Sequence, residues 1–130
     1  MIRQLPDGGG EFVLEEPALT CIRIDHQSRL QFGATELVIG AAFTVERDGT
    51  AYRLHPRRSE TLGPLAALYP ATIRWLWTSR SGHLTAVFRS GPVVTVYPDP
   101  VVMAWSVGNV HCLPAGGERE STETPGTFRP

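Results

Sequence analysis

Between Thr72 and Trp105 the chain reads TIRWLWTSRSGHLTAVFRSGPVVTVYPDPVVMAW, and this stretch limits the fold more than any other. Three runs in it alternate with a period of two, the mark of strands with one buried face. Ile73, Trp75 and Trp77 fall on one face of the first run, with Arg74 and Thr78 on the other. Leu84, Ala86 and Phe88 share a face of the second, opposite Thr85, Val87 and Arg89. The third, Val93 to Tyr97, is apolar on both faces and is expected at the centre of a sheet. Ser79-Arg80-Ser81-Gly82 and Ser90-Gly91 separate the runs as turns, because Gly accepts positive φ and Ser hydrogen-bonds locally. Pro92 can open the next strand without removing a ladder donor. Together these runs predict an antiparallel meander.

Pro98-Asp99-Pro100 ends the third run, since two prolines remove donors and hold the backbone extended. Val101, Met103, Trp105 and Val107 then alternate, which reads as a fourth strand; a short helical turn beginning at Asp99 is the alternative. The Asp99 carboxylate is placed to accept backbone N–H groups from the residues after it. That turn role outweighs a catalytic one.

Upstream, Ala18 to Asp25 reads as a strand with Thr20, Ile22 and Ile24 inward and Cys21, Arg23 and Asp25 outward. Leu30 and Phe32 continue a buried face, Gly33-Ala34-Thr35 turns the chain, and Leu37-Val38-Ile39 forms the next run. Ala41 to Glu46 extends or kinks into another strand, and Arg47-Asp48-Gly49 is a hairpin signal leading into Thr50 to Leu54. RLQFGATELVI from Arg29 and HLTAVFRSGPVVTV from His83 share one plan, which suggests a weak internal repeat. Between the halves lies one helix candidate: Ser59 or Thr61 as cap, Pro64 in the first turn, and Leu62, Leu65, Leu68 and Tyr69 along one face. The fold class expected is α+β, mainly β, with two related antiparallel meanders joined by one short helix as a sandwich or open barrel.

One domain is expected over 11–114. Residues 1–10, ending in Asp7-Gly8-Gly9-Gly10, read as a flexible lead-in, and the Gly-, Pro- and Glu-rich 115–130 as a disordered tail. A hydrophobic content of 42% and a charged content of 19% belong to a folded chain, and a net charge of −1 supplies no field for nucleic acid or an anionic membrane. No apolar run approaches ~20 residues, and no apolar leader precedes the domain, so a cytoplasmic location is expected. In such a compartment Cys21 and Cys112 are expected as two buried thiols, with a disulfide as the minority reading.

The residues Gly91, Pro98-Asp99-Pro100, Ala104-Trp105 and Leu113-Pro114-Ala115-Gly116-Gly117 carry a resemblance. So do Ile22-Arg23-Ile24-Asp25, Leu30-Gln31-Phe32, Leu37-Val38-Ile39 and Leu62-Gly63-Pro64-Leu65. Over most of Leu19 to Gly117 the chain resembles an actinobacterial family of small proteins known as domain of unknown function 6188. One departure stands out: Met103 occupies the place where that family usually has Glu. The resemblance implies no activity.

Chemistry is sparse. No two of the four histidines, His26, His55, His83 and His111, are three or four residues apart, and no cysteine or acid completes a zinc set. His26 and His83 take comparable places beside turns in the two halves, which reads first as two exposed turn residues. Glu15-Glu16-Pro17 reads as a solvated turn rather than a carboxylate pair. No nucleophile elbow, phosphate loop or dinucleotide fingerprint occurs. Arg57 and Arg58, with Arg53 and His55 nearby, form a small basic cluster that reads first as a solvated loop. Trp75 and Trp77 suit either an interface or a core, and with Met103 and Trp105 available to pack on them the core is preferred.

The leading expectation is a non-enzymatic interaction protein, immunity-like or self-associating through an edge strand or its Trp-rich half. The alternative is a small-molecule-binding or hydrolytic domain with a pocket between sheet and helix. Candidate binding residues are Trp75, Trp77, Trp105, Asp99, His83, Arg57 and Arg58. No catalytic residue, metal or cofactor is expected; a protein partner or second copy is, and nucleic acid or membrane is not.

Overall fold

Alternation along the chain produces twelve short strands in a computed structural model that describes residues 2–6, 8–112 and 114. They are β1 (Ile2–Gln4), β2 (Gly10–Phe12), β3 (Cys21–Ile24), β4 (Ser28–Phe32), β5 (Thr35–Ile39), β6 (Phe43–Arg47) and β7 (Thr50–Leu54). After a 3-10 turn at Ser59–Thr61 and a single helical turn, α1 (Gly63–Ala66), come β8 (Ile73–Thr78), β9 (Leu84–Phe88), β10 (Val93–Val96), β11 (Trp105–Val107) and β12 (Val110–Cys112). A seven-stranded sheet has the order β1-β2-β8-β9-β10-β6-β7 and a five-stranded sheet the order β12-β11-β5-β4-β3, with every pairing antiparallel. The two sheets enclose one core, as in a β-sandwich. The expected tail, 115–130, lies outside the described residues.

The two related meanders, β3-β4-β5 and β8-β9-β10, lie in different sheets. Each is followed by a hairpin that leaves its own sheet for the other: β6-β7 pairs beside β10, and β11-β12 pairs beside β5. Each sheet is therefore completed by the opposite half of the chain. Phe32 and Phe88, which end the second strand of each meander, meet in the core with ring centroids 6.5 Å apart. The two crossings, 40–42 and 97–104, touch where the Gly40 N–H donates to the Ala104 carbonyl at 2.9 Å. A Cβ on Gly40 would stand 2.5 Å from the Met103 carbonyl oxygen, so only glycine fits this approach.

Several expectations change. Ile2–Gln4, placed in the lead-in by composition, forms an edge strand on β2. β3 ends the five-stranded sheet, and Ile24 there is 47% exposed instead of inward; Cys21 is also exposed, while Cys112 is buried with its Sγ donating to the Gly82 carbonyl at 3.7 Å, and no disulfide joins the two. The run from Val101 is not a strand until Trp105: the Asp99 Oδ1 accepts the N–H groups of Val101 (2.8 Å) and Val102 (3.0 Å) and holds a tight turn instead. The helix shrinks to one turn without a side-chain cap. Leu62, Leu65 and Leu68 are buried as expected, but Tyr69 is exposed. The Thr61 hydroxyl braces the preceding loop, accepting the His55 N–H at 3.0 Å and donating to the Arg58 carbonyl at 2.7 Å.

Candidate functional site

The largest difference from the alternation pattern lies in β8, beside the candidate site. Ile73 pairs with Phe88 and Trp75 with Val87, so Arg74 is an extra residue at a β-bulge. Beyond the bulge the faces exchange: Leu76 and Thr78 turn into the core, and Trp75 and Trp77 turn outward. The core placement expected for this pair is thereby corrected. The pairing of β8 with β9 accounts for it. Paired residues share a face, and Leu84 and Ala86 are inward, so Thr78 and Leu76 opposite them must be inward too.

On the outer face of the seven-stranded sheet the register sets Trp77 between Glu11 and Thr85, and Trp75 beside Val87 and Val93. The two indoles lie 5.3 Å apart between centroids with planes tilted by 32°. Trp75 is 43% exposed. Trp77 is half-buried, and its Nε1 is covered without a hydrogen-bond partner among the described residues. A hollow of about 480 Å³ opens beside them, lined by Glu11, Arg74, Trp75 and Val87. Arg3 pairs with Glu11 at its margin. Around the indoles the face is thus aromatic and aliphatic, with Arg74 and the Arg3–Glu11 ion pair at the rim of the hollow.

Tyr97 neighbours both His83 and Asp99. The His83 ring meets Tyr97 edge-on at 5.1 Å, and Tyr97, Pro98 and Asp99 line a hollow of about 270 Å³ with Ala41, Ala42 and Arg53. This hollow lies at the crossing between sheets and does not involve the helix. His83 Nδ1 stands 2.9 Å from Ser81 Oγ and 3.4 Å from Ser79 Oγ, and the Ser79 hydroxyl accepts the His83 N–H at 3.1 Å. These hydroxyls are its hydrogen-bond partners among the described residues, and they serve the turn. His26 sits in a separate turn beside Asp25 at 3.7 Å.

Trp105, expected as a binding residue, is fully buried. Its ring meets Phe12 edge-on at 6.0 Å, and its Nε1 donates to the Gly82 carbonyl at 2.8 Å. It packs the core and braces the β8–β9 turn. Arg57 and Arg58 are exposed in the loop after β7, with their backbone N–H groups turned to His55. Arg53 belongs to the crossing hollow. Among the described residues no group of three or more His, Cys, Asp or Glu is placed to hold a metal ion, and no helix is long and apolar enough to cross a membrane.

The matching stretch identified by a family model, described as a family of unknown function (DUF6188), is residues 11–119. The chain belongs to this family. No curated protein and no solved structure matches it. In this DUF6188 member the matched span contains the bulge, both outward tryptophans and both crossings, whereas β1 precedes it.

Proposed function

We propose that this DUF6188 protein is a non-enzymatic binding module that docks a protein partner on the outer face of its seven-stranded sheet. Trp75 and Trp77 are the anchors. The observation that carries this reading is the outward Trp75–Trp77 pair, set on that face by the register of β8 with β9. A tryptophan offers up to about 250 Å² of surface. With 43% of Trp75 in water, covering it would recover roughly 2–3 kcal/mol at ~25 cal/mol per Å². Aromatic anchors ringed by polar residues are the usual centre of a protein interface. Arg74 and the Arg3–Glu11 pair supply such a rim.

The test is capture from the native host by tagged protein, with wild type compared to a Trp75→Ala/Trp77→Ala variant of unchanged circular dichroism. A stoichiometric protein lost in the variant is the expected result. Equal capture by both forms would refute the reading. A second reading, a small-molecule or hydrolytic site, is favoured only by the Tyr97–Asp99–Arg53 hollow, whose Tyr97 ring also meets His83. Ligand-induced shifts at Tyr97 and His83 would support it.

A further inference from the structure

We propose that β7 is a dimerisation edge: two copies pair their Thr50–Leu54 strands antiparallel about a twofold axis at Tyr52, joining their seven-stranded sheets into one. This goes beyond the partner-binding reading and does not depend on it. β7 is terminal in its sheet, and four of its five residues are exposed. It carries no proline, inward charge or bulge of the kind that blunts an edge. The other edges differ. β1 and β12 have three residues each, and β3 presents Arg23, already engaged with Glu36 at 3.2 Å.

Backbone geometry selects the register. Asp48 (φ 52°) and Gly49 (φ 79°) form a two-residue turn of the I′ type, in which the flanking Arg47 and Thr50 exchange hydrogen bonds. Bonded and non-bonded pairs alternate along an antiparallel ladder, so Tyr52 and Leu54 also bond to β6. Ala51 and Arg53 therefore point their N–H and C=O groups away from β6. Centring the twofold on Tyr52 places Ala51 opposite Arg53 of the second copy, and these outward groups then exchange hydrogen bonds in both directions. The side chains agree with that register. Glu46 and Arg53 are exposed, and neither has an ion-pair partner among the described residues. Across the junction the outer row reads Glu46, Ala51, then Arg53 of the second copy. Small Ala51 lets that Arg reach Glu46 over two strand spacings, about 10 Å, and symmetry makes the pair twice. On the other face Tyr52, 43% exposed, meets its own copy at a non-bonded position where side chains approach closely.

An axis of this kind keeps both outer faces on the same side. Two Trp75–Trp77 pairs would then stand about 40 Å apart at nine strand spacings, a bivalent surface.

Sedimentation equilibrium of the full chain, up to about 1 mM because so short an edge gives a weak contact, is expected to show a concentration-dependent dimer. Ala51→Pro removes only an outward N–H and leaves the β6–β7 ladder whole, so it is expected to yield a folded monomer. Glu46→Arg or Arg53→Glu alone should weaken association roughly tenfold or more, and the two combined should restore it. Trp75→Ala should leave it unchanged. A monomer at every concentration overturns the proposal, as does a dimer indifferent to both charge reversals or lost in Trp75→Ala. Should Ala51→Pro unfold, the charge exchange decides alone.

Discussion

Trp75 is 43% exposed and Trp105 not at all, although both occupy alternating apolar runs. Their substitutions should therefore differ sharply in denaturant unfolding: Trp75→Ala is expected to cost less than about 1 kcal/mol, and Trp105→Ala about 3–5 kcal/mol. Comparable costs for the two would contradict the faces assigned to them. Asp99 was legible in the sequence, because an acid between prolines has few other uses, and its carboxylate does cap the Val101 and Val102 N–H groups. Asp99→Ala is expected to cost about 0.5–2 kcal/mol, as other lost caps do, with Asp99→Asn closer to wild type. Asp25 shows a directed electrostatic effect. The Gln27 N–H, bonded at 2.8 Å, leads in holding its carboxyl below the ordinary 3.8; burial opposes this, and Arg29 and His26 reinforce it. A lowered folded pKa means that its contribution to stability is present above pH 3.8 and fades as pH falls through the folded value. An NMR titration in which the Asp25 midpoint lay above 3.8 would reverse that sign.

At the scale of elements, turns were the most legible feature, since Asp48-Gly49 and Gly33-Ala34 name their conformations. Strand faces were legible wherever alternation ran unbroken, as in β4 and β9. They failed in β8, because a bulge exchanges faces and one residue of insertion leaves no compositional trace. The edge position of β3 was equally hidden: which strand lies last is decided by pairing, not by its own residues. The helix was overestimated because its leucine spacing is satisfied by a 3-10 turn and one α-turn in series. Deletion of Arg74 tests the bulge. Removal of the extra residue restores strict alternation with Trp75 and Trp77 still outward, so the protein should stay folded with iodide quenching of tryptophan fluorescence retained. Loss of quenching would show that the bulge, rather than the register from the β8–β9 turn, sets the faces.

For the whole molecule, the repeat was visible as a shared plan in two stretches, but the exchange of hairpins between sheets was not. Long-range pairing of β6 with β10 and β11 with β5 is a property of both halves together. Neither 2–70 nor 71–114 alone should give a folded β spectrum, because each would leave a two-stranded hairpin without its sheet. A folded isolated half would contradict the reciprocal arrangement. What the sequence left unresolved about function follows from the same cause: the face proposed to bind is assembled from β2, β8, β9 and β10, and no single stretch displays it. Of the three tryptophans, Trp75 and Trp77 report on that face directly and the buried Trp105 serves as the internal control. With 5-fluorotryptophan incorporated and a captured partner titrated in, fluorine NMR should show the Trp75 and Trp77 resonances shifting while that of Trp105 stays in place. Binding that leaves Trp75 and Trp77 unmoved would place the partner elsewhere and contradict the account.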